Sequence, residues 1–208
     1  MIDNKEYRAK PGRLSDIDIA FLCKGENPMI SPFSETQQGK PSFGLSSAGY
    51  DFTLGAKYYR QTDHVMYLDR EEEFWEIDPL NKEHQEAAWR ACEAENDVIF
   101  INPLECLLTE TVEKINMPDD VVAEVLGKST YARCGLLVNA TPLEPGWRGI
   151  ITLELHNCSP IYPIMLRVGQ GISQGIFTRM ANPPARTYSN RETPATYQDQ
   201  LGVTLSRG

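Results

Sequence analysis

The stretch Gly127-Lys-Ser-Thr-Tyr-Ala-Arg-Cys-Gly-Leu-Leu-Val-Asn-Ala-Thr-Pro-Leu-Glu-Pro-Gly-Trp-Arg-Gly-Ile-Ile-Thr-Leu-Glu-Leu-His-Asn157 decides the fold. It opens on a polar turn suited to phosphate, then gives two strand patterns, each led by a glycine (Gly135 and Gly149). From Gly149 onward the residues alternate. In a strand, Ile151, Leu153 and Leu155 point to one side, and Ile150, Thr152, Glu154 and His156 to the other. One carboxylate, Glu154, therefore stands among apolar residues and shares a face with Thr152. Further short apolar runs lie at 98–101, 104–108, 121–126, 161–166 and 172–177, with Pro, Gly, Asn or Asp in many of the gaps. Many short strands at this spacing predict a mainly β domain, an antiparallel barrel or jelly-roll-like sandwich with a few short helices.

The rest of the chain fits around that pattern. Its 208 residues suit one domain with appendages, and 41% hydrophobic content allows a sizeable core. A formal charge of -9 argues against general nucleic-acid binding, which relies on Lys and Arg to neutralise phosphates. A small anionic substrate needs only a local basic cluster. The five cysteines are scattered and odd in number, which predicts free thiols and a cytoplasmic setting. The N-terminus is polar without an apolar signal region, and no apolar run approaches the roughly 18 residues of a membrane span. Ser15 is placed to cap a short helix through Leu22. Residues 25–42 read as loop, and Phe52, Leu54 and Ala56 alternate as in a strand. The acidic stretch 71–96 reads as an inserted helix or loop with a solvated face. The tail 181–208 is polar and contains Pro183, Pro184 and Pro194, so it must fold over something else to be ordered.

Two groups of residues carry chemistry. In Lys128-Ser-Thr-Tyr-Ala-Arg133, Ser129 or Thr130 is suited to cap a short helical turn whose N–H groups attract phosphate oxygens. Lys128 and Arg133 add positive charge, and Arg binds phosphate bidentately. The alternative is an ordinary capped turn with surface basics. Glu154 on a central strand loses solvation, which favours proton uptake from water and return to a leaving amine. Its alternative is a glutamate on the wet face of a sheet. Zinc-dependent base deaminases carry His-x-Glu and Pro-Cys-x-x-Cys, and this chain has neither. His64, His84 and His156 fit no ligand spacing. Cys134 and Cys158 lie near the motifs with no base beside them in sequence, and read as packing residues.

Gly127–Gly149 resembles the bacterial-type branch of the dCTP deaminase family, itself dUTPase-like. Three further blocks agree, in order: Gly44-Leu-Ser-Ser-Ala-Gly-Tyr-Asp51, Gln174-Gly-Ile-Phe177, and Tyr197-Gln-Asp-Gln-Leu-Gly-Val-Thr-Leu-Ser-Arg207. The resemblance implies a single dUTPase-like domain over 1–208, a distorted β-barrel or jelly roll. It implies hydrolysis of dCTP to dUTP and ammonia without zinc, with Mg²⁺ carried by the triphosphate. It implies a homotrimer with sites between subunits, and dTTP as an inhibitor. Glu154, Ser129 and Arg133 match the family's catalytic residues. Lys128, Ser129, Thr130, Tyr131, Ala132 and Arg133, with Thr152, Leu153, Glu154, Gln174, Tyr188 and Gln200, match its nucleotide contacts. The tail would then act as a closing lid.

The chain also departs from the branch. Thr196 stands where a lysine is usual, the tail is longer between Tyr188 and Gln200, and 71–96 is unlike it. In Thr141-Pro-Leu-Glu-Pro-Gly-Trp-Arg-Gly149, Glu144 and Trp147 occupy the places of a dUTPase aspartate and tyrosine. That leaves a bifunctional deaminase and dUTP diphosphatase, or a dUTPase, as a rival reading. A non-catalytic nucleotide-binding trimer is another, since fold alone does not fix function.

Overall fold

The computed structural model describes residues 10–37, 39, 42–62, 77–192 and 195–207. His64 and the first part of the acidic stretch, 71–76, fall outside these. In chain order the elements are β1 (Gly12–Arg13), α1 (Asp16–Leu22), β2 (Ile30–Ser31), β3 (Gly44–Ser46) and β4 (Gly49–Gln61). Then come α2 (Lys82–Ala88), β5 (Trp89–Glu93), β6 (Val98–Ile101), β7 (Cys106–Asn116) and β8 (Val121–Gly127). The last are α3 (Ser129–Ala132), β9 (Leu136–Asn139), β10 (Arg148–Asn157), β11 (Ile164–Arg167) and β12 (Gly171–Arg179).

The mainly β expectation holds. One ten-stranded sheet runs β1-β12-β4-β7-β10-β9, with β2 added on β7, β3 and β5 on β4, and β8 on β12. A two-stranded sheet pairs β11 with β6. Strand β4 joins the two halves of the large sheet. Its first residues pair with β12, and its later ones with β7 and β5. The β4–β7 register shifts between Leu54 and Tyr58, where the sheet bends. Gly55 sits in that bend, and a Cβ there would lie 2.5 Å from Glu110 Cγ.

The core lies between the curled halves, around Phe52, Leu54, Leu107, Leu153, Leu155 and Phe177, all at most 1% exposed. Burying one such Leu or Phe side chain stabilises by about 1.5–3 kcal/mol. Among the buried polar groups, Glu113 and Asn157 tie distant segments together. Glu113 accepts from the Thr53 N–H and Oγ1, both at 2.9 Å. Burial pushes the Glu113 carboxyl up, and the Thr53 bonds pull against that. Asn157 Nδ2 donates towards the carbonyls of Ile101, Asn102 and Tyr162 at 3.0–3.1 Å, tying the end of β10 to the small sheet.

Helix α1 begins as expected. Ser15 Oγ accepts from Asp18 N–H, and the Asp18 carboxylate accepts from Ser15 N–H, a reciprocal cap. In the acidic stretch Asn81 caps α2, and the chain then re-enters the sheet as β5 against β4. All five cysteines are free. Cys134 and Cys158 are exposed on this chain rather than packed, because Cys158 follows buried Asn157 on the outward side of the alternation and Cys134 lies just beyond α3. Among the described residues no helix is long and apolar enough to cross a membrane.

Candidate functional site

Strand β10 is bonded on both edges, to β7 and to β9. Its alternation buries Ile151, Leu153 and Leu155 and leaves Thr152, Glu154 and His156 half-buried on the other face. Glu154 stands opposite Leu108 of β7 and Asn139 of β9. Asn139 Nδ2 donates to Glu154 Oε2 at 2.5 Å, which fixes one carboxylate oxygen and leaves Oε1 for other partners. Two residues along, Cys106 Sγ lies 3.6 Å from His156 Nε2. Burial first, then the carboxylates of Glu154 and Glu105, pushes the Cys106 thiol up to about 11. It therefore stays protonated at neutral pH and makes a poor nucleophile.

Glu154 and Thr152 line a cleft of about 720 Å³. Glu144, Trp147, Tyr188, Arg191, Tyr197 and Gln200 line it too, and Gln85 of α2 with Trp89 of β5 form part of its wall. The tail lies across it. Gln200 bridges to Gly149 in parallel, with Ile150 N–H donating to Gln200 O at 3.0 Å. A Cβ on Gly149 would come within 2.9 Å of Gln200 Cγ, so glycine is what lets the tail seat there. The Thr152 hydroxyl accepts from Thr204 N–H at 3.1 Å and from Gln200 Nε2 at 3.4 Å. Trp147 Nε1 donates to Tyr197 O at 3.0 Å, and Tyr197 N–H to the Tyr188 hydroxyl at 3.0 Å. Ser206 Oγ donates to Pro79 O, so the end of the tail reaches the stretch before α2.

The expected site residues thus fall into two groups within one chain. Thr152, Glu154, Tyr188 and Gln200 share the cleft. Leu153 lies between two of them with its side chain in the core, so only its backbone can meet a ligand. Ser129, Thr130, Tyr131, Ala132 and Arg133 do not line this cleft, nor do Lys128 and Gln174. They belong to a second group where β8 ends beside β12. Gln174 pairs with both Leu126 and Asp51, and its Nε2 donates to Ser46 Oγ at 2.9 Å.

Within this second group Lys128 Nζ contacts the buried Asp51 carboxylate at 2.7 Å. That pair ties α3 to β4 and neutralises the lysine locally. Lys128, not Ser129 or Thr130, is the N-cap of α3, and it makes no side-chain cap bond. Both hydroxyls fall inside the turn and are exposed, as is Arg133.

The sequence reading missed Asn139, Arg191 and Tyr197 as members of the site. Asn139 had a usable signal, since it ends a short alternating strand beside the one that carries Glu154. Arg191 had none, because Tyr188 alone does not mark it and its other neighbour, Glu144, is distant in sequence. No group of three or more His, Cys, Asp or Glu is placed to hold a metal among the described residues.

Comparison with known proteins adds to this geometry. A family model described as dCTP deaminase-like matches residues 13–180. The chain is 39% identical over 184 residues to the dCTP deaminase of Campylobacter fetus subsp. fetus (strain 82-40), covering 88% of this chain and 91% of that protein. It is 38% identical, with the same coverage, to the dCTP deaminase of Campylobacter curvus (strain 525.92). Among solved structures, the 2'-deoxycytidine 5'-triphosphate deaminase from Agrobacterium tumefaciens superposes with a TM-score of 0.59 at 18% identity. That match covers 82% of this chain but 49% of the other, so this chain spans about half of its length, and the likeness is one of fold alone.

Proposed function

The chain belongs to the dCTP deaminase-like family, and on that premise we propose that it hydrolyses dCTP to dUTP and ammonia. The observation that carries this reading is Glu154, half-buried in the cleft, with one oxygen held by Asn139 and the other available. In the proposed reaction Glu154 takes a proton from water as the resulting hydroxide adds to C4 of the cytosine ring. Glu154 passes that proton to the ring nitrogen N3, giving a neutral tetrahedral intermediate with a hydroxyl and an amino group on C4. It then takes the proton of the C4 hydroxyl and gives it to the 4-amino group as the C–N bond breaks, leaving the C4 carbonyl of dUTP and releasing ammonia. No zinc takes part in this scheme. Mg²⁺ enters on the triphosphate, so the chain itself need hold no ion.

The assembly we propose is a homotrimer with sites between subunits. Its support is the division of the expected residues into two groups, each incomplete alone. In that assembly Ser129 and Arg133 of one subunit would complete the Glu154 cleft of another, assisting the water and lining the base. Thr152, Tyr188 and Gln200 would then hold nucleotide beneath the closed tail. The product would feed the dUTP branch of pyrimidine deoxynucleotide metabolism in the cytoplasm, with dTTP as an inhibitor.

Glu144 favours a second reading, because it sets another carboxylate in the same cleft. If it activates a water at the phosphates, the protein would also cleave dUTP to dUMP. Incubation with dCTP and Mg²⁺, with chelator-stripped protein alongside, separates the cases. Ammonia and dUTP without added zinc support the deaminase. Pyrophosphate and dUMP support the bifunctional enzyme. Tight dCTP binding without any product would overturn both and leave a nucleotide-binding trimer.

A further inference from the structure

We propose that Arg191 anchors the phosphate chain of the nucleotide, with Glu144 as its resident counter-charge; this rests on the nucleotide reading of the cleft. Two carboxylates, Glu144 and Glu154, line the cleft, and a triphosphate would add several more negative charges. Such a site needs a cation. Among the described residues of one chain that line it, Arg191 is the only basic one; the Mg²⁺ and the Arg133 proposed to arrive from another subunit would act beside it.

The geometry of Arg191 differs from that of the arginines around it. Arg148 grips Asp199 with two bonds at 2.9–3.0 Å, and Arg186 meets Glu192 at 2.8 Å. Arg207 donates to Thr196 O at 2.6 Å. These three are satisfied by close partners. Arg191 instead sits 3.8 Å from Glu144, beyond hydrogen-bond distance, and its Nε is buried with no hydrogen-bond partner. Leaving a buried donor unmet is costly, so such a group usually has a partner to receive.

The guanidinium is nonetheless held in place. Its Cζ lies 3.8 Å from the Tyr188 ring centroid, a cation–π contact that holds the head group against the ring. Tyr188 is itself fixed by its N–H bond to Pro145 O at 2.8 Å. Thr187 N–H also donates to Asn190 Oδ1 at 2.6 Å, closing the turn that leads to Arg191. A ring-held, half-buried guanidinium with unspent donors is built to bind phosphate oxygens bidentately. Glu144 and Glu154 then mark the phosphate and base ends of the cleft.

The test uses calorimetric titration of the full chain with dCTP, dCMP and inorganic tripolyphosphate, in Mg²⁺ buffer. Arg191→Ala should weaken dCTP and tripolyphosphate by roughly 10- to 150-fold, the range for lost hydrogen bonds to a charged group, and change dCMP little. Arg191→Lys, which keeps the charge without the planar fork, should recover part of the loss. Equal weakening of dCTP and dCMP would mean that Arg191 only braces Tyr188, and would overturn the proposal, as would unchanged dCTP affinity. Ammonia release by the wild-type protein is followed separately. Its absence would sink the deaminase reading, while the tripolyphosphate titration would still decide the role of Arg191.

Discussion

Strand β10 is bonded along both edges, whereas the tail over 195–207 meets the body through one parallel bridge and a scatter of side-chain bonds. Both supply residues to the same cleft. The strand's inner side chains, Leu153 and Leu155, are fully buried, while most of the tail's described residues remain partly exposed. Thus the carboxylate proposed for chemistry is set by a sheet ladder that opens only with the whole fold. The residues proposed to close over substrate hang on contacts worth about 0.5–1.5 kcal/mol each, a scale on which local opening is easy.

The sharpest way to break that comparison is to separate chemistry from binding on the strand. Glu154→Gln keeps the shape but cannot accept the proton, so kcat should fall about 10²- to 10⁴-fold while dCTP still binds. Ammonia release and calorimetry on the same protein check this, and near-normal turnover would end the proposed mechanism. The strand's inner face comes next. Leu153→Ala should cost about 2–5 kcal/mol of stability, read from the urea midpoint. An unchanged midpoint would mean that β10 is not anchored by its core side.

The tail should respond differently. Gln198→Ala removes the donor to Gly146 O and the acceptor for Arg148 N–H, and should cost about 0.5–1.5 kcal/mol of tail docking per bond. We expect a raised KM for dCTP with the urea midpoint kept. A shifted midpoint with unchanged KM would make the tail part of the folded core and erase the contrast. The smallest effect belongs to Asp199→Ala. The Arg148–Asp199 pair is about half exposed on both sides, so its loss should change KM by no more than about 1 kcal/mol in equivalent free energy. That effect should vanish in high salt, and a salt-independent effect would point to a structural role for Asp199.

Much of the strand half of the molecule was legible from spacing. Leu153 and Leu155 alternate with Thr152 and Glu154, and period-two alternation is a local signal that pairing preserves. The Ser15 cap was legible for the same reason, since its partner Asp18 is three residues away. Strand β5 was not, because Arg90 and Glu93 are exposed on opposite faces of it, so charge breaks the alternation and reads as a wet loop or helix. The cap of α3 was misread by one or two residues. Ser129 and Thr130 have the chemistry of caps, but the ion pair between Lys128 and Asp51 fixes where the chain turns, and Asp51 is remote in sequence. Arg191 was invisible for a similar reason: its significance comes from Tyr188 and Glu144, and only the fold brings the second of these to it.

The bridge between Gly149 and Gln200 has a bearing on sequence drift. Its contacts include backbone bonds, from Ile150 N–H to Gln200 O and from Asp199 N–H to Arg148 O, which are blind to side-chain identity. Tyr188 is tied through its own backbone N–H to Pro145 O. The stretch between these two moorings can therefore lengthen, shorten or change composition without losing either berth. A tail moored at its ends leaves its middle open to lineage-specific change.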